Sequence, residues 1–294
     1  MFRDEVLSYP ANKITEEQRK FYFNNGYLVL KNFVPKCTLK ELNKVTKKFI
    51  NKSRKIIKSD NLFDLAREHT REKPVVRRIK RPDEQHKVYW DFASGLMADL
   101  ASDLAGPDVV FHHSKLNFKW FDSDDKVKWH QDIQFFPHTN YNVFTIGCYL
   151  EDTDMDNGPL SVLPKSHEGK LYNQYDVSGN WVGGLNQEDV GSIDLSKVQY
   201  LMGNAGSITI HNCRTLHSSP PSRSQSPRPL LLNCYSSADA KAYTPHPDKS
   251  KNAYRVVKGI KSLWAQHDPR PCLIPPDWSG GYTSIYAAQA GEDK

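Results

Sequence analysis

The stretch His130-Gln131-Asp132 is followed, far downstream, by a second histidine, His217. Side chains two positions apart on an extended strand point to the same side, so His130 and Asp132 can reach one metal ion while Gln131 faces away. Two histidines and one carboxylate on one face of a metal leave the opposite positions open, which is typical of iron(II) oxygenases. The stretch therefore predicts a non-haem iron centre on a strand, with His217 or its neighbour His211 as the third ligand.

Arg228 lies eleven positions after His217, at the start of the next apolar stretch. A dicarboxylate cosubstrate that chelates iron through one end needs a cation at the other, and a guanidinium can hold a carboxylate with two parallel hydrogen bonds. The placement of Arg228 favours His217 as the third ligand. Arg223, in the same Ser/Pro-rich turn, is a competing anchor, and a surface ion pair is the alternative role for Arg228.

The composition is that of a folded chain with a basic balance. Its 294 residues are 38% hydrophobic and 11% aromatic, with a formal net charge of +6. Five scattered cysteines form no Cys-x-x-Cys pair, which disfavours a disulfide framework and a cysteine-based zinc site. The lysines of residues 36–58 fit the solvated face of a helix better than a nucleic-acid surface.

There is no signal-peptide core or long apolar run, and the terminal Gly-Glu-Asp-Lys is not a peroxisomal signal. We therefore expect a cytoplasmic protein that binds neither membranes nor nucleic acid.

We predict a single domain over residues 1–294, beginning with an α/β layer over residues 1–107. Helix caps and hydrophobic periodicity predict its elements: a helix from Thr15 to Gly26 with Phe21 and Phe23 facing inward, a strand over 27–30, a helix over 38–58 opened by a Thr38–Glu41 capping box, a basic strand from Val75 to Arg81, and a helix from Val88 to Leu104.

The fold class predicted for residues 108–240 is mainly β, a double-stranded β-helix or jelly roll with the N-terminal helices packed on one sheet. Short strands separated by Gly, Pro and Asn turns indicate this architecture: Val109 to Trp120, Tyr141 to Leu150, Pro159 to Leu163, Ser207 to Cys213 and Pro229 to Tyr235. The long connection 168–200 is expected to be a lid. Residues 241–294 are expected to form an irregular extension.

Basic residues alternate along the strand that starts near Phe111. His113, Lys115, Asn117 and Lys119 should share one face, and buried lysines are costly unless an anion meets them. These residues could hold a cosubstrate or an acidic substrate, or they could lie on a solvated rim. The basic residues of the strand over 75–81 could likewise bind an acidic substrate, or they could belong to a charged edge strand.

The sequence resembles the phytanoyl-CoA dioxygenase family over most of residues 15–240. The matching motifs are His130-Gln131-Asp132, Asn157-Gly158-Pro159-Leu160, Leu163-Pro164-Lys165-Ser166-His167, and Leu216-His217-Ser218-Ser219 through Arg228. The resemblance implies a double-stranded β-helix that uses iron(II), 2-oxoglutarate and molecular oxygen. It implies that His130, Asp132 and His217 bind iron, which decides against His211, and that the family spacing selects Arg228 over Arg223.

The resemblance also implies a set of cosubstrate contacts: Arg228 with Ser219, and, lining the same pocket, Gln131, Asn117, Thr145 and Lys115. In relatives a tryptophan often lines the site where this chain has Gly147, so a larger pocket is expected.

The activity implied is hydroxylation of an unactivated C–H bond in a small molecule, with release of succinate and carbon dioxide. The basic strands favour a substrate with a carboxylate or a phosphorus oxyanion. Halogenation is disfavoured because related halogenases replace the carboxylate ligand, here Asp132, with a small residue. Desaturation, cyclisation, a non-catalytic sensor and a zinc hydrolase or isomerase remain alternatives, and we expect a monomer or a homodimer.

Overall fold

The structure is a computed structural model that describes residues 1–121, 123, 125–278 and 281–291. Its helices are α1 Arg3–Leu7, α2 Glu16–Asn25, α3 Lys36–Ser53, α4 Pro82–Gln85, α5 Lys87–Ser94, α6 Leu96–Ala105, α7 Gln187–Gly191 and α8 Ile285–Ala290. Its strands are β1 Tyr27–Leu30, β2 Phe63–Leu65, β3 Val76–Lys80, β4 Val109–Asn117, β5 Val127–His130, β6 Val143–Tyr149, β7 Leu160–Val162, β8 Gln199–Leu201, β9 Ile208–Asn212, β10 His217–Ser219, β11 Leu230–Ser237 and β12 Arg255–Lys258.

Two antiparallel sheets form the double-stranded β-helix that the sequence predicts. The larger sheet has the order β1-β9-β6-β11-β4-β3-β2, with β12 also paired to β4, and the smaller sheet has the order β5-β10-β7-β8. Strand β11 shows how the large sheet serves two environments: Leu230 and Leu232 line a cavity between the sheets, whereas Leu231 packs into the core on the other face. This alternation follows from the two-residue period of a strand.

The helical core stabilises the outer face of the large sheet. Leu42 and Val45 of α3 and Leu100 of α6 are buried in one cluster with Phe111 and Ile146 of the sheet. Full burial of a side chain of this size contributes about 1.5–3 kcal/mol. The lysines of α3 lie on its exposed side, as expected for a solvated face: Lys36, Lys40, Lys44, Lys47 and Lys48.

Helix α2 begins and ends where its caps predict. The Thr15 side chain accepts a hydrogen bond from the Gln18 N–H, and Gly26 adopts the left-handed conformation with φ of +79°. Phe21 was expected to face inward, but its side chain is 41% exposed, so this prediction is wrong. Tyr22 and Arg19 are the buried side chains of this helix.

Two other helix boundaries differ from the predictions. Helix α3 begins after Pro35 and ends at Ser53, so the capping box at Thr38 is wrong, because that residue already lies inside the first turn. The single helix expected from Val88 to Leu104 is two helices that meet at Gly95, whose φ of −103° and ψ of −104° are not helical.

The C-terminal segment is more ordered than the expected irregular extension. Strand β12 pairs with β4, and helix α8 packs beside β5, where Gln289 accepts a hydrogen bond of 2.8 Å from the Lys128 N–H. Residues 292–294, which complete the terminal tetrapeptide considered as a targeting signal, lie outside the described residues. In the described part of the chain, every helix is too short or too polar to cross a bilayer.

Candidate active site

Pairing of two short strands brings the predicted histidines together. His130 at the end of β5 lies opposite His217 at the start of β10, and their ring centroids are 4.0 Å apart. Asp132 opens a short 3-10 turn immediately after β5. All three side chains are buried, and their ligand atoms lie within 4.8 Å of one another. The three residues that the sequence spacing picked out therefore form a single cluster able to hold a metal ion.

Backbone carbonyls orient both histidine rings. Nδ1 of His130 lies 2.9 Å from the Lys128 carbonyl oxygen, and Nδ1 of His217 lies 2.9 Å from the Thr215 carbonyl oxygen. A proton held on Nδ1 leaves the Nε2 lone pair available to a metal. The two Nε2 atoms are 3.8 and 3.7 Å from Oδ1 of Asp132. Burial lowers the pKa of His130 to about 4 and that of His217 well below its usual value, so both are neutral ligands near pH 7.

The other carboxylate oxygen of Asp132 has its own partners. Oδ2 accepts hydrogen bonds from the Thr145 hydroxyl at 3.1 Å and from Nε2 of His211 at 3.2 Å. Burial acts to raise the pKa of Asp132, but Lys115 and His217 more than offset it and hold the pKa well below its usual value. His211 thus contacts Oδ2 of Asp132 and lies beside His217, with ring centroids 4.3 Å apart, but it is not part of the group of three ligand atoms. Sequence periodicity could not distinguish this role from ligation.

Arg228 lies in the same cavity as the three candidate ligands. It is buried, and its Nη2 donates to the Ser219 hydroxyl at 3.3 Å. Its Nε and Nη1 have no hydrogen-bond partner among the described residues. A buried cation with unmet donors is costly unless an anion meets it. The rival Arg223 is exposed.

The remaining predicted pocket residues divide into two groups. Lys115, Asn117 and Thr145 line the cavity, as expected. Gln131 does not: its amide donates to the carbonyl oxygens of Arg214 at 2.7 Å and Lys170 at 3.2 Å. Because Lys170 belongs to the connection expected to be a lid, Gln131 fastens the start of that connection beside the candidate ligands. Its side chain is therefore not among those that line the cavity in which the cosubstrate contact was expected.

Two cavity residues were missed because they come from the C-terminal segment. Ile285 and Tyr286 of α8 line the cavity from nearly fifty residues beyond the end of β11 at Ser237. A sequence signal for this helix exists, since Ser284 caps its start and Gly291 follows its end with φ of +71°. Because the helix is far from the motifs in the sequence, this signal gave no indication that the helix lines the cavity.

Gly147 does not enlarge the pocket as expected. A Cβ atom at this position would lie 3.0 Å from side-chain carbons of both Leu230 and Leu232, which already fill the space. The residue opposite on β9, Thr209, is closer still, with its hydroxyl 2.7 Å away. The glycine instead permits close packing of three neighbouring strands.

A second cavity adjoins the first. The two share Lys115, Asp132 and Ile285, and the second is also lined by Arg78 of β3. Strand β3 lies between β4 and β2, so the alternative of an edge strand is wrong. Its Arg77 forms an ion pair of 2.8 Å with Asp64, whereas Arg78 donates to Asn117 at 2.9 Å. Only Arg78 of this pair of arginines lines the cavity.

Comparisons with known proteins agree with this geometry. The profile of the family described as phytanoyl-CoA dioxygenase (PhyH) matches residues 22–230. The chain is 32% identical over 269 residues to a probable alpha-ketoglutarate-dependent hypophosphite dioxygenase of Stutzerimonas stutzeri, covering 88% of this chain and 91% of that protein. It is 25% identical over 260 residues to the peroxisomal phytanoyl-CoA dioxygenase of Homo sapiens, covering 85% and 76%.

A solved structure shares the fold. The crystal structure of EctD from S. alaskensis with bound Fe covers 89% of this chain and 90% of its own, with a TM-score of 0.68 and 19% sequence identity. The match to the family profile, over residues 22–230, includes His130, Asp132 and His217. The chain therefore belongs to the phytanoyl-CoA dioxygenase family of iron(II)- and 2-oxoglutarate-dependent dioxygenases.

Proposed function

We propose that this dioxygenase hydroxylates a small molecule that carries a carboxylate or a phosphorus oxyanion. The bond that reacts is an unactivated C–H bond or, in a substrate such as hypophosphite, a P–H bond. In this proposal His130, Asp132 and His217 hold iron(II). Arg228 and Ser219 bind the far carboxylate of 2-oxoglutarate. The proposal rests above all on one observation. A buried guanidinium, two of whose nitrogens have no hydrogen-bond partner in the described part of the chain, lies in the same cavity as the candidate ligands.

The donor set fits iron(II). Two neutral imidazoles and one carboxylate oxygen converge from one side, and this combination with open positions suits a non-haem iron oxygenase. When bound, iron supplies oxygen activation coupled to conversion of 2-oxoglutarate to succinate and carbon dioxide. The protein contributes by fixing the rings through Lys128 and Thr215 and the carboxylate through Thr145.

The cavity also fits 2-oxoglutarate. Nη2 of Arg228 has two N–H groups and donates one of them to Ser219, so the other can form two parallel hydrogen bonds to a carboxylate together with Nη1 or Nε. Apolar side chains of Leu230, Leu232 and Ile285 line the same cavity and exclude water from the chain between the two ends of the cosubstrate. An anion held in such surroundings is bound more strongly than in water.

The anionic substrate is supported by charge beside the ligands. Lys115 lines both cavities and Arg78 lines the second, yet Asp132 is the carboxylate that the two cavities share. Iron would neutralise Asp132, which leaves positive charge in excess. A relative with 32% identity is named for hypophosphite, a small phosphorus oxyanion.

The test measures oxygen-dependent succinate release with hypophosphite, methylphosphonate and short carboxylic acids as candidate substrates. We expect at least one anion to raise succinate release well above the uncoupled level, and Asp132→Ala to abolish the reaction. Asp156→Ala, which removes an exposed carboxylate, is the matched control. Stimulation only by neutral molecules, or full activity of Asp132→Ala, would contradict the proposal.

A further inference from the structure

The second cavity lies against Asp132 but does not include Arg228 or Ser219. It is therefore separate from the part of the site proposed to bind 2-oxoglutarate, although both reach the iron ligands. Three of its polar side chains come from separate parts of the chain: Arg78 from β3, His113 from β4 and His246 from the segment between β11 and β12. Each of the three has a hydrogen-bond donor that other contacts leave available.

Arg78 supplies the charge. The side chain is buried with 4% exposure, and its Nε donates to Oδ1 of Asn117 at 2.9 Å. Its Nη2 is buried and has no hydrogen-bond partner among the described residues. The guanidinium also lies 5.9 Å from the ring centroid of Tyr286. A buried guanidinium nitrogen beside a cavity is stabilised when it donates a hydrogen bond to an anion.

His246 supplies a second donor because its other nitrogen is already an acceptor. The backbone N–H of Asp248 donates to Nδ1 of His246 at 3.1 Å. A neutral histidine that accepts at Nδ1 carries its proton on Nε2. Burial lowers the pKa of His246 to about 3, which keeps the ring in this neutral form, and protonation would add a donor rather than remove one.

His113 has the same tautomer, which a β-bulge makes possible. In the β4–β11 register Cys234 lies opposite His113 and Tyr235 lies opposite Phe111, so His112 is the extra residue, and its Nδ1 lies 2.7 Å from Nδ1 of His113. Nε2 of His112 is buried without a partner among the described residues. Buried N–H groups without an acceptor are rare, so His112 donates from Nδ1 and His113 keeps its own proton on Nε2.

The geometry points to an oxyanion subsite formed by Arg78, His113 and His246, and we propose that it holds a tetrahedral phosphorus oxyanion of the substrate beside the iron. This inference rests on the proposed function. Three donors from separate elements match three oxygens of a tetrahedral group better than the two coplanar oxygens of a carboxylate. The rings of His113 and His246 are stacked with centroids 4.0 Å apart, and both line the cavity.

The surroundings limit what else the substrate can be. Phe135 and Phe136 line the same cavity and restrict the remainder of the substrate to a compact, apolar group. The carboxylate of Asp248, which also lines the cavity, is engaged in an ion pair with Arg81 and does not cancel the charge of Arg78. A substrate oxyanion in this place would direct its short apolar group towards the shared wall at Asp132.

The test uses the anaerobic iron(II) protein saturated with 2-oxoglutarate, so that the Arg228 end of the site is occupied. Methylphosphonate is titrated while the width of its ³¹P resonance is followed, because a phosphorus atom near paramagnetic iron broadens saturably; the zinc(II) protein is the diamagnetic reference. Arg78→Gln and His246→Gln are compared with Arg71→Gln, which removes the same charge from an exposed position. The visible band of the 2-oxoglutarate chelate reports that each variant retains its fold and its iron site.

We expect saturable broadening, with the dissociation constant raised about tenfold or more in Arg78→Gln and His246→Gln and unchanged in Arg71→Gln. Inorganic phosphate should displace methylphosphonate, and acetate should do so much less well. If the chelate band is intact but the probe does not bind, or binds equally well in all variants, the subsite is wrong. Equal displacement by acetate would overturn the phosphorus assignment, whereas absence of the chelate band in the unchanged protein would refute the proposed function instead.

Discussion

The hydroxyl of Thr145 donates a hydrogen bond to Oδ2 of Asp132 over 3.1 Å. Together with His211 it occupies that oxygen, so Oδ1 is left to face His130 and His217. The carboxylate is thereby held in the orientation in which one oxygen can bind a metal. Such outer contacts make a ligand effective because a ligand that is free to rotate must be ordered when the metal binds.

Thr145→Val should weaken iron binding by about tenfold to a hundredfold, because it removes the hydroxyl that orients Asp132 but keeps the size of the side chain. The matched control is Thr209→Val on the neighbouring strand β9, where the buried hydroxyl has no hydrogen-bond partner among the described residues. Competition with a metal-sensitive dye measures both affinities. Equal weakening in the two variants would show that the hydroxyl of Thr145 has no specific role.

Arg228→Gln should raise the dissociation constant for 2-oxoglutarate by about a hundredfold, since two charge-assisted hydrogen bonds of about 1.5–3 kcal/mol each are lost. Without 2-oxoglutarate the same change should not lower the free energy of unfolding, because it removes a buried charge with unmet donors. Arg223→Gln, at an exposed position of the same turn, is the control and should change neither quantity. Calorimetric titration and chemical denaturation provide the two readouts.

The metal-free protein should become less stable as the pH falls from about 6.5 to about 4. Burial lowers the pKa of His138 and of His130 to about 4, below the usual value of 6.5. Between these limits the unfolded chain binds protons that the folded chain does not, so the free energy of unfolding decreases with falling pH by up to about 1.4 kcal/mol per pH unit for each such histidine.

His138 allows this prediction to be tested away from the iron ligands. His138→Gln should flatten the dependence of the free energy of unfolding on pH by about one proton, measured by denaturation with urea between pH 4.5 and 7. His267→Gln, at an exposed position, is the control. A variant of His138 with an unchanged slope would mean that its ring is protonated equally in both states.

The central residues could be predicted because strand geometry translates spacing directly into position. His130 ends β5, and Asp132 opens the short 3-10 turn that follows it, so the expected strand at Asp132 is wrong although the two side chains do meet. Antiparallel pairing with β10 brings His217 opposite His130. Arg228 then lies two residues before the start of β11, which borders the same cavity. The two histidines lie on adjacent strands of the smaller sheet, so little tertiary information was needed for them, whereas Arg228 precedes a strand of the larger sheet.

Other features depend on contacts that no local pattern encodes. Tyr286 reaches the cavity through a helix of six residues whose location is set by packing on β5. The orientation of His112 and His113 depends on a bulge that appears only when β4 and β11 are paired. Gln131 was expected in the cavity because its neighbours are candidate metal ligands, although strand alternation already turned its side chain away from them.

The most direct test of the account is a titration of 2-oxoglutarate into the anaerobic iron(II) protein, followed by the visible charge-transfer band of the chelate. We expect a saturable band that disappears in Asp132→Ala and needs far more 2-oxoglutarate in Arg228→Gln. With iron confirmed to be bound, the absence of the band, or a band that is unchanged in Arg228→Gln, would contradict the assignment of this cavity to iron and 2-oxoglutarate.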